Sequence, residues 1–91
     1  MPFDDLYALF ASVKNKKEAK ILLQDILTPR ELNSVSERWQ LVQALASGMP
    51  QRTINKKLKI SISKITRGSK MLKKGSGGFG LFLKRLKKTV K

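Results

Sequence analysis

The stretch of sequence that decides the fold is Gln51-Arg-Thr-Ile-Asn-Lys-Lys-Leu-Lys-Ile-Ser-Ile-Ser-Lys-Ile-Thr-Arg-Gly-Ser69. Ile54 and Leu58 are four residues apart, so they share one face of a helix. Ile60 follows in a turn, where it can fill the angle between two helices. Ser61 then stands where an N-cap belongs, because its hydroxyl can accept a hydrogen bond from a backbone N–H shortly after it. The pattern predicts a helix-turn-helix, a motif that lays its second helix into the DNA major groove.

The second helix of this motif carries polar and basic side chains that suit phosphate oxygens and base edges. These residues are Ser63, Lys64, Thr66, Arg67 and Lys70. Ile62, at the start of the same helix, belongs either to the core or to a contact with a thymine methyl group. The lysines of the first helix and the turn either contact phosphate or are simply solvated. They are Lys56, Lys57 and Lys59.

Charge is distributed unevenly along the chain. The first 38 residues contain all six acidic residues and six Lys and Arg. From Trp39 to the end there are fourteen Lys and Arg and no acidic residue, so the whole formal charge of +14 lies on the half that holds the motif. A polyanion such as nucleic acid is the natural partner of this half, and an anionic membrane surface is the competing one. A merely solvated surface would usually interleave both signs.

Length and composition exclude several classes of protein. A chain of 91 residues makes one domain at most, residues 1–91, with a small core that dimerisation could enlarge. It has no Cys and no His, so a metal site would need carboxylates alone. The six acids show no ligand-like cluster beyond Asp4-Asp5, and we expect no metal. No general base poised near neutral pH, Cys nucleophile or Gly-rich phosphate loop is present, so the sequence does not predict an enzyme.

We expect neither a signal peptide nor a membrane span from the sequence. No apolar run approaches the roughly 18–20 residues of a membrane span. The N-terminal Met-Pro-Phe-Asp-Asp lacks the basic and then apolar order of a signal peptide. We therefore expect a cytoplasmic protein, and the lack of Cys fits a reducing compartment.

The apolar pattern is helical throughout and predicts an all-α fold of six helices. The string Thr28-Pro29-Arg30-Glu31 marks the start of the third helix, since Thr is a good N-cap, Pro suits the first position and Glu completes a capping box. Gly48 ends that helix, and Pro50 suits the first position of the next. The other helices are predicted at residues 4–14, 16–27, 50–58, 62–73 and 79–90.

Three features of these helices have competing interpretations. Trp39 keeps phase with Val35 and Val42, so we place it in the core rather than on a stacking platform. The segment at residues 75–78, Gly-Ser-Gly-Gly, is interpreted as a flexible surface loop rather than a ligand cradle. The basic, amphipathic last helix either packs its apolar face into a dimer core, which so small a chain needs, or lies on a membrane surface.

Three strings of the chain are distinctive: Leu27-Thr-Pro-Arg-Glu-Leu32, Ser36-Glu-Arg-Trp-Gln-Leu-Val-Gln-Ala-Leu45 and Ile65-Thr-Arg-Gly-Ser69. Together with Gln51-Arg52 they resemble the bacterial tryptophan (Trp) repressor family over residues 23–73. A helix-turn-helix alone is shared by many families. The string Ile-Thr-Arg-Gly-Ser within one, with the Leu-Thr-Pro capping box upstream, is far more specific.

The resemblance implies an intertwined six-helix homodimer. Residues 49–74 would form a helix-turn-helix DNA-reading head, and residues 1–48 and 76–91 a dimer core. L-Tryptophan would bind non-covalently between core and heads as a corepressor. It would set the heads apart to meet successive major grooves.

The same resemblance assigns the ligand-binding residues. Arg38 and Arg67 would bracket the indole ring, which suits guanidinium groups because they stack on aromatic faces and pair with carboxylates. Backbone carbonyls near Asp25 and Leu27, with Thr28, would meet the ligand amine from the other subunit. The remaining members of the implied site are Gly68, which would leave room beside the ring, Val42 and Met71.

On the DNA side, the resemblance implies that Arg52 holds a phosphate or a guanine, and that Ile62, Ser63 and Thr66 face base edges. The other residues assigned to DNA are Gln51, Asn55, Lys56, Lys64 and Lys70. The implied function is sequence-specific repression of genes for tryptophan biosynthesis or transport. The operator would be a pseudo-palindromic duplex that mirrors the two-fold axis of the homodimer.

The chain departs from the family pattern at two informative positions. Lys59 stands at the turn position that is usually Gly. A positive φ would strain Lys59 by roughly 1 kcal/mol, so we expect a slightly different turn. Met71 stands where the family commonly has a small serine near the ligand, which bears on the identity of the ligand.

Two alternatives from other classes remain open at this point. A basic architectural or RNA-associated protein that binds nucleic acid without sequence preference would show equal affinity for scrambled duplex, and its salt dependence would account for all the binding. A membrane-surface protein would bind anionic vesicles and lose that binding with residues 79–91.

Overall fold

The computed structural model describes residues 2–86, and these residues form six α-helices and no β-strand. The helices are α1 (Pro2–Ala11), α2 (Lys16–Ile26), α3 (Pro29–Ala46), α4 (Gln51–Leu58), α5 (Ile62–Lys74) and α6 (Gly78–Arg85). The prediction of an all-α fold is therefore confirmed. The last predicted helix was drawn to Val90, a residue that lies outside the described ones.

The chain divides into two compact units, Met1–Ser34 and Val35–Lys91. The boundary falls within α3, whereas the sequence suggested a head at residues 49–74 with core segments on either side of it. Units that pack within one chain need not coincide with the parts of a dimer. The division into head and core therefore stays a prediction.

Hydrogen-bonded caps delimit α2 and α3. Thr28 and Glu31 form the expected capping box: the Thr28 hydroxyl accepts from the Glu31 N–H at 3.2 Å, and Glu31 Oε1 accepts from the Thr28 N–H at 2.9 Å. A related cap begins α2, where the Asn15 side chain accepts from the Glu18 N–H at 2.9 Å. In return Glu18 Oε1 accepts from the Lys14 N–H at 3.0 Å. Glu18 thus reaches the residue before the N-cap and not the N-cap itself, which makes this a variant of the capping box. The sequence prediction did not include it, although Asn followed three residues later by Glu is the signature of such a cap.

The first helix is shorter at its C-terminus than expected. It ends at Ala11, three residues before the predicted end at residue 14. The Ser12 hydroxyl donates to the Leu9 carbonyl oxygen at 2.6 Å. A serine that bonds a nearby carbonyl offers the backbone an alternative to further helix, which accounts for the early end.

Gly48 and Pro50 separate α3 from α4. Gly48 has φ +88°, as expected for a glycine just beyond a helix end. Pro50 is the N-cap of α4 with an extended ψ of 146°, so the helix begins at Gln51. The prediction that Pro50 is the first helical residue is wrong by one position.

Lys59 adopts the left-handed conformation, with φ 55° and ψ 41°. The expectation of a different turn is therefore wrong. The Asn55 side-chain amide donates across the turn to the Ile60 carbonyl oxygen at 2.7 Å, and the Ile60 side chain is buried. These tertiary contacts hold Lys59 in a conformation that its own side chain disfavours.

The core of the Val35–Lys91 unit is small and apolar. It is built from Leu41 and Ala44 of α3, Ile54 of α4, Ile60 of the turn and Ile65 of α5. Ile60 thus fills the angle between α4 and α5, as predicted. Leu41 and Ala44 come from one turn of α3, against which α4 and α5 pack.

Candidate functional site

The α4–α5 pair exposes one polar face of α5. Ile54, Ile60 and Ile65 are buried together, and the buried Ile65 fixes the rotation of α5 about its own axis. Ser61 caps this helix as predicted, because its hydroxyl accepts from the Lys64 N–H at 3.3 Å. The residues of the first turn that are out of phase with Ile65 are consequently presented to solvent.

Eight of the nine residues assigned to DNA are exposed. They are Gln51, Arg52 and Lys56 on α4, and Ile62, Ser63, Lys64, Thr66 and Lys70 on α5. Ile62 is 50% exposed, so of its two predicted roles the place in the core of the chain is wrong. The ninth residue, Asn55, is half-buried, and its amide is engaged by the Ile60 carbonyl oxygen. Its contribution to the turn was not foreseen.

Glu37 and Lys64 form a salt bridge between α3 and α5, with 3.1 Å between Glu37 Oε1 and Lys64 Nζ. Glu37 is the only acidic residue in the sequence of the Val35–Lys91 unit. The same unit contains fifteen Lys and Arg, so its electrostatic potential is strongly positive. Polyanions are the partners that such a potential attracts.

A second contact between α3 and α5 lies one helical turn further along each helix. A Cβ atom on Gly68 would stand 2.6 Å from Leu41 Cδ2, so the glycine allows α5 to approach the buried leucine closely. The two contacts, Glu37 with Lys64 and Leu41 with Gly68, define what we call the α3–α5 seam. The two α3 residues are four positions apart in the sequence, and so are the two α5 residues. Each helix therefore uses a single face in both contacts.

Two of the residues assigned to the ligand adjoin residues of the α3–α5 seam in the sequence. Arg38 follows the first seam contact on α3, and Arg67 precedes the second on α5. Both side chains are exposed. Their guanidinium groups are therefore accessible, and their joint contact with one planar carboxylate ligand stays a prediction.

The other residues assigned to the ligand lie in different surroundings. Asp25, Leu27 and Thr28 belong to the Met1–Ser34 unit, where the Thr28 hydroxyl caps α3. Val42 is 1% exposed and serves the interior of its own unit. Gly68 packs against Leu41, a role distinct from leaving room for a ring. The ligand contacts of these residues stay predictions.

An apolar cleft of about 540 Å³ lies beside Met71 in the Val35–Lys91 unit. The Trp39 and Phe79 rings pack there, with centroids 6.3 Å apart and an interplanar angle of 30°. Trp39, expected in the core, is only half-buried because it forms a wall of this cleft. The remaining wall residues are Ser76, Gly78, Phe82 and Leu86. Patterns within single helices gave no signal for the cleft, since α3, α5 and α6 build it jointly.

Residues 2–86 contain no group of three or more acidic, His or Cys side chains placed to hold a metal ion. In the same part of the chain, no helix has the length and apolar character required to cross a membrane.

These features are those of a small helical DNA-binding protein. The chain matches the family model described as Trp repressor protein over residues 2–87. Since that match covers nearly the whole sequence, the chain belongs to the Trp repressor family, whose members are DNA-binding transcriptional regulators and not enzymes.

Individual relatives agree with this assignment. The chain is 37% identical to a Trp operon repressor homolog of Chlamydia caviae over 83 residues, which cover 90% of this chain and 82% of the relative. It is 40% identical over 72 residues to the homolog of Mannheimia succiniciproducens, covering 78% and 71%. It is 48% identical over 58 residues to that of Pasteurella multocida, covering 63% and 56%. No solved structure gives a significant match.

Proposed function

We propose that the protein is a homodimeric repressor that binds an operator in double-stranded DNA and takes L-tryptophan as its corepressor. The observation that carries this proposal is the exposed polar face of α5 on a unit with fifteen basic residues and one acidic residue. Membership of the Trp repressor family supports it. Such a regulator would act in the cytoplasm on genes of tryptophan biosynthesis or transport.

DNA would be read by the first two turns of α5. Ser63 and Thr66 are exposed there, and their hydroxyls can exchange hydrogen bonds with base edges. The exposed Ile62 side chain suits a thymine methyl group. Phosphate contacts would position the helix without carrying sequence information. The residues proposed for those contacts are Gln51, Arg52, Asn55, Lys56, Lys64 and Lys70.

A second copy of the chain would cover apolar side chains that one chain leaves exposed. Large apolar residues of α1 and α2 are exposed, and soluble monomers rarely leave so many in water. They include Leu6, Leu9, Phe10, Ile21 and Ile26. A two-fold dimer would present two copies of α5, and its operator would be a pseudo-palindrome with half-sites spaced by whole turns of the duplex.

L-Tryptophan would bind at the α3–α5 seam. Arg38 and Arg67 would stack on the indole ring, and one of them would also pair with the ligand carboxylate. Met71 follows Arg67 by one turn on the same face of α5, so the site would continue into the apolar cleft. Oxygen acceptors for the ligand amine would come from the region of residues 25–28 in the second subunit.

Ligand and DNA would be coupled by differential affinity. A ligand that fits only the DNA-binding arrangement of the heads shifts the protein toward that arrangement, commonly by about 1–3 kcal/mol. By linkage, operator DNA would tighten tryptophan binding by the same factor.

Selection from a random pool of duplex DNA, with and without L-tryptophan, tests the proposal. We expect the ligand to cause convergence on a two-fold symmetric sequence, which binds about 5- to 150-fold more weakly when the ligand is removed. D-Tryptophan serves as the matched control ligand. Pools that show no common sequence under either condition would contradict the proposal.

A second candidate function is binding of nucleic acid without sequence preference. The observation that favours it is the exposed positive charge far from the first turn of α5. The residues that carry this charge are Lys73 and Lys74 at the end of α5, and Lys84 and Arg85 at the end of α6. In that case selected and scrambled duplexes would bind equally, and the slope of affinity against salt would account for all the binding.

A further inference from the structure

We propose that Glu37 is an intramolecular competitor of DNA for Lys64, and that it lowers the affinity of the protein for duplex DNA of any sequence. The inference rests on the proposed function, because it requires Lys64 to meet a phosphate when DNA is bound. Glu37 itself was assigned no role by the sequence.

The Glu37–Lys64 contact is well formed but weakly held. Its N–O distance is 3.1 Å, while the Glu37 and Lys64 side chains remain 37% and 65% exposed. Water competes for both partners of such an exposed pair, so the bond contributes little to stability and exchanges readily. A phosphate oxygen can therefore displace the carboxylate from the lysine.

The position of Lys64 places this exchange on the DNA-facing surface. Lys64 lies in the first turn of α5, three residues after the N-cap Ser61. The N-terminal residues of the second helix are those that approach DNA in a helix-turn-helix. Since Glu37 reaches the Lys64 ammonium group, its carboxylate lies close to any phosphate that Lys64 contacts.

In its basic surroundings, Glu37 is expected to weaken DNA binding in two ways. It is the single acidic residue of a unit with fifteen Lys and Arg. In the free protein it neutralises one cation that would otherwise face DNA. In the complex it repels phosphates within the Debye length, which is about 8 Å at physiological salt. Both effects weaken binding, and neither depends on base sequence.

Fluorescence anisotropy with a labelled mixed-sequence duplex, over a series of salt concentrations, tests the proposal. The variants are Glu37→Gln, Lys64→Gln and the double variant. Asp5→Asn is the matched control, because it makes the same charge change in the other compact unit. Thermal unfolding establishes that each variant is folded, and Glu37→Ser replaces Glu37→Gln if the latter is not.

We expect Glu37→Gln to bind about threefold to fivefold more tightly at about 0.15 M salt. The slope of log affinity against log salt should steepen by up to about 0.9, because the net positive charge that faces the phosphates is greater by one. Asp5→Asn should leave the slope unchanged. In the Lys64→Gln background, Glu37→Gln should gain clearly less than in the unaltered protein, because only the direct repulsion of phosphates is left to remove. A purely structural role for Glu37 would not move the salt slope.

The possible failures are distinguishable. Equal affinity and slope in Glu37→Gln and Asp5→Asn, or weaker binding by Glu37→Gln, would overturn this inference while leaving DNA binding intact. A gain of undiminished size in the Lys64→Gln background would also overturn it. Absence of duplex binding by the unaltered protein at low salt would overturn the proposed function, and this inference with it.

Discussion

Gly68 lies so close to Leu41 that a Cβ atom on the glycine would stand 2.6 Å from Leu41 Cδ2. Leu41 is packed in the core with Ile54 and Ile65, so its side chain has little space into which it can move. The glycine of the Ile-Thr-Arg-Gly-Ser string is thus explained by packing within a single chain. It allows the close approach of α5 to α3 at the seam.

Replacement of Gly68 by Ala should destabilise the protein. Overpacking against Leu41 costs about 1–3 kcal/mol, while the helix propensity of Ala returns about 0.5–1 kcal/mol. We expect a net loss of about 1 kcal/mol in the free energy of unfolding, measured by urea denaturation. Gly80→Ala is the matched control, because nothing lies within 4 Å of its added Cβ and it should stabilise α6. A Gly68→Ala variant as stable as the unaltered protein would show that α5 does not depend on this approach.

Replacement of Lys59 by Gly should stabilise the turn between α4 and α5. Lys59 has φ 55°, a conformation that costs a residue with a Cβ atom about 1 kcal/mol and glycine almost nothing. We expect a gain of about 0.5–1 kcal/mol in the free energy of unfolding. Lys57→Gly removes the same charge from within α4 and should instead lose about 1 kcal/mol. Loss of stability in both variants would mean that the turn is not strained at Lys59.

Substitutions of Thr28 can distinguish its role in the capping box of α3 from its proposed role in ligand binding. Thr28→Ala removes the hydroxyl that accepts from the Glu31 N–H and should cost about 1 kcal/mol of stability. Thr28→Ser keeps that oxygen and should be nearly neutral. Ser36→Ala, an exposed change within α3, controls for helix propensity. Equal stability of Thr28→Ala and Thr28→Ser by thermal unfolding would contradict a capping role.

The two classes of DNA contact proposed for α5 should respond differently to substitution. Thr66→Ala should relax the preference for one base pair of a selected operator, at a cost of about 1–3 kcal/mol. Lys70→Ala should weaken the binding of all duplexes alike and reduce the slope of log affinity against log salt by about 1. Binding titrations against the selected site and its single-base variants measure both effects. An equal loss of affinity for every duplex in Thr66→Ala would contradict a role of Thr66 in base readout.

Local signals in the sequence were sufficient for much of the fold. The Thr28–Glu31 box, the Ser61 cap and the Gly48 stop are each a property of adjacent residues, and each occurs where expected. Lys59 departs from expectation because tertiary contacts around Ile60 and Asn55 override the local preference of a lysine.

The candidate site was predictable only in part. The exposed face of α5 follows from the phase of Ile65 within one helix. The Glu37–Lys64 pair depends on how α3 and α5 cross, and helical periodicity carries no information about that crossing. The same applies to the cleft, in which Trp39 meets Phe79 from a helix forty residues later in the sequence. Contacts between elements therefore account for what the sequence analysis missed.

The proposed corepressor function requires this chain to bind L-tryptophan at the α3–α5 seam. Isothermal titration calorimetry of L-tryptophan into the folded protein tests it. We predict saturable binding at one site per chain, loss of that binding in Arg67→Ala, and its retention in Lys73→Ala, which removes a cation from the same helix. Absence of heat at several temperatures, or unchanged binding by Arg67→Ala, would contradict the account.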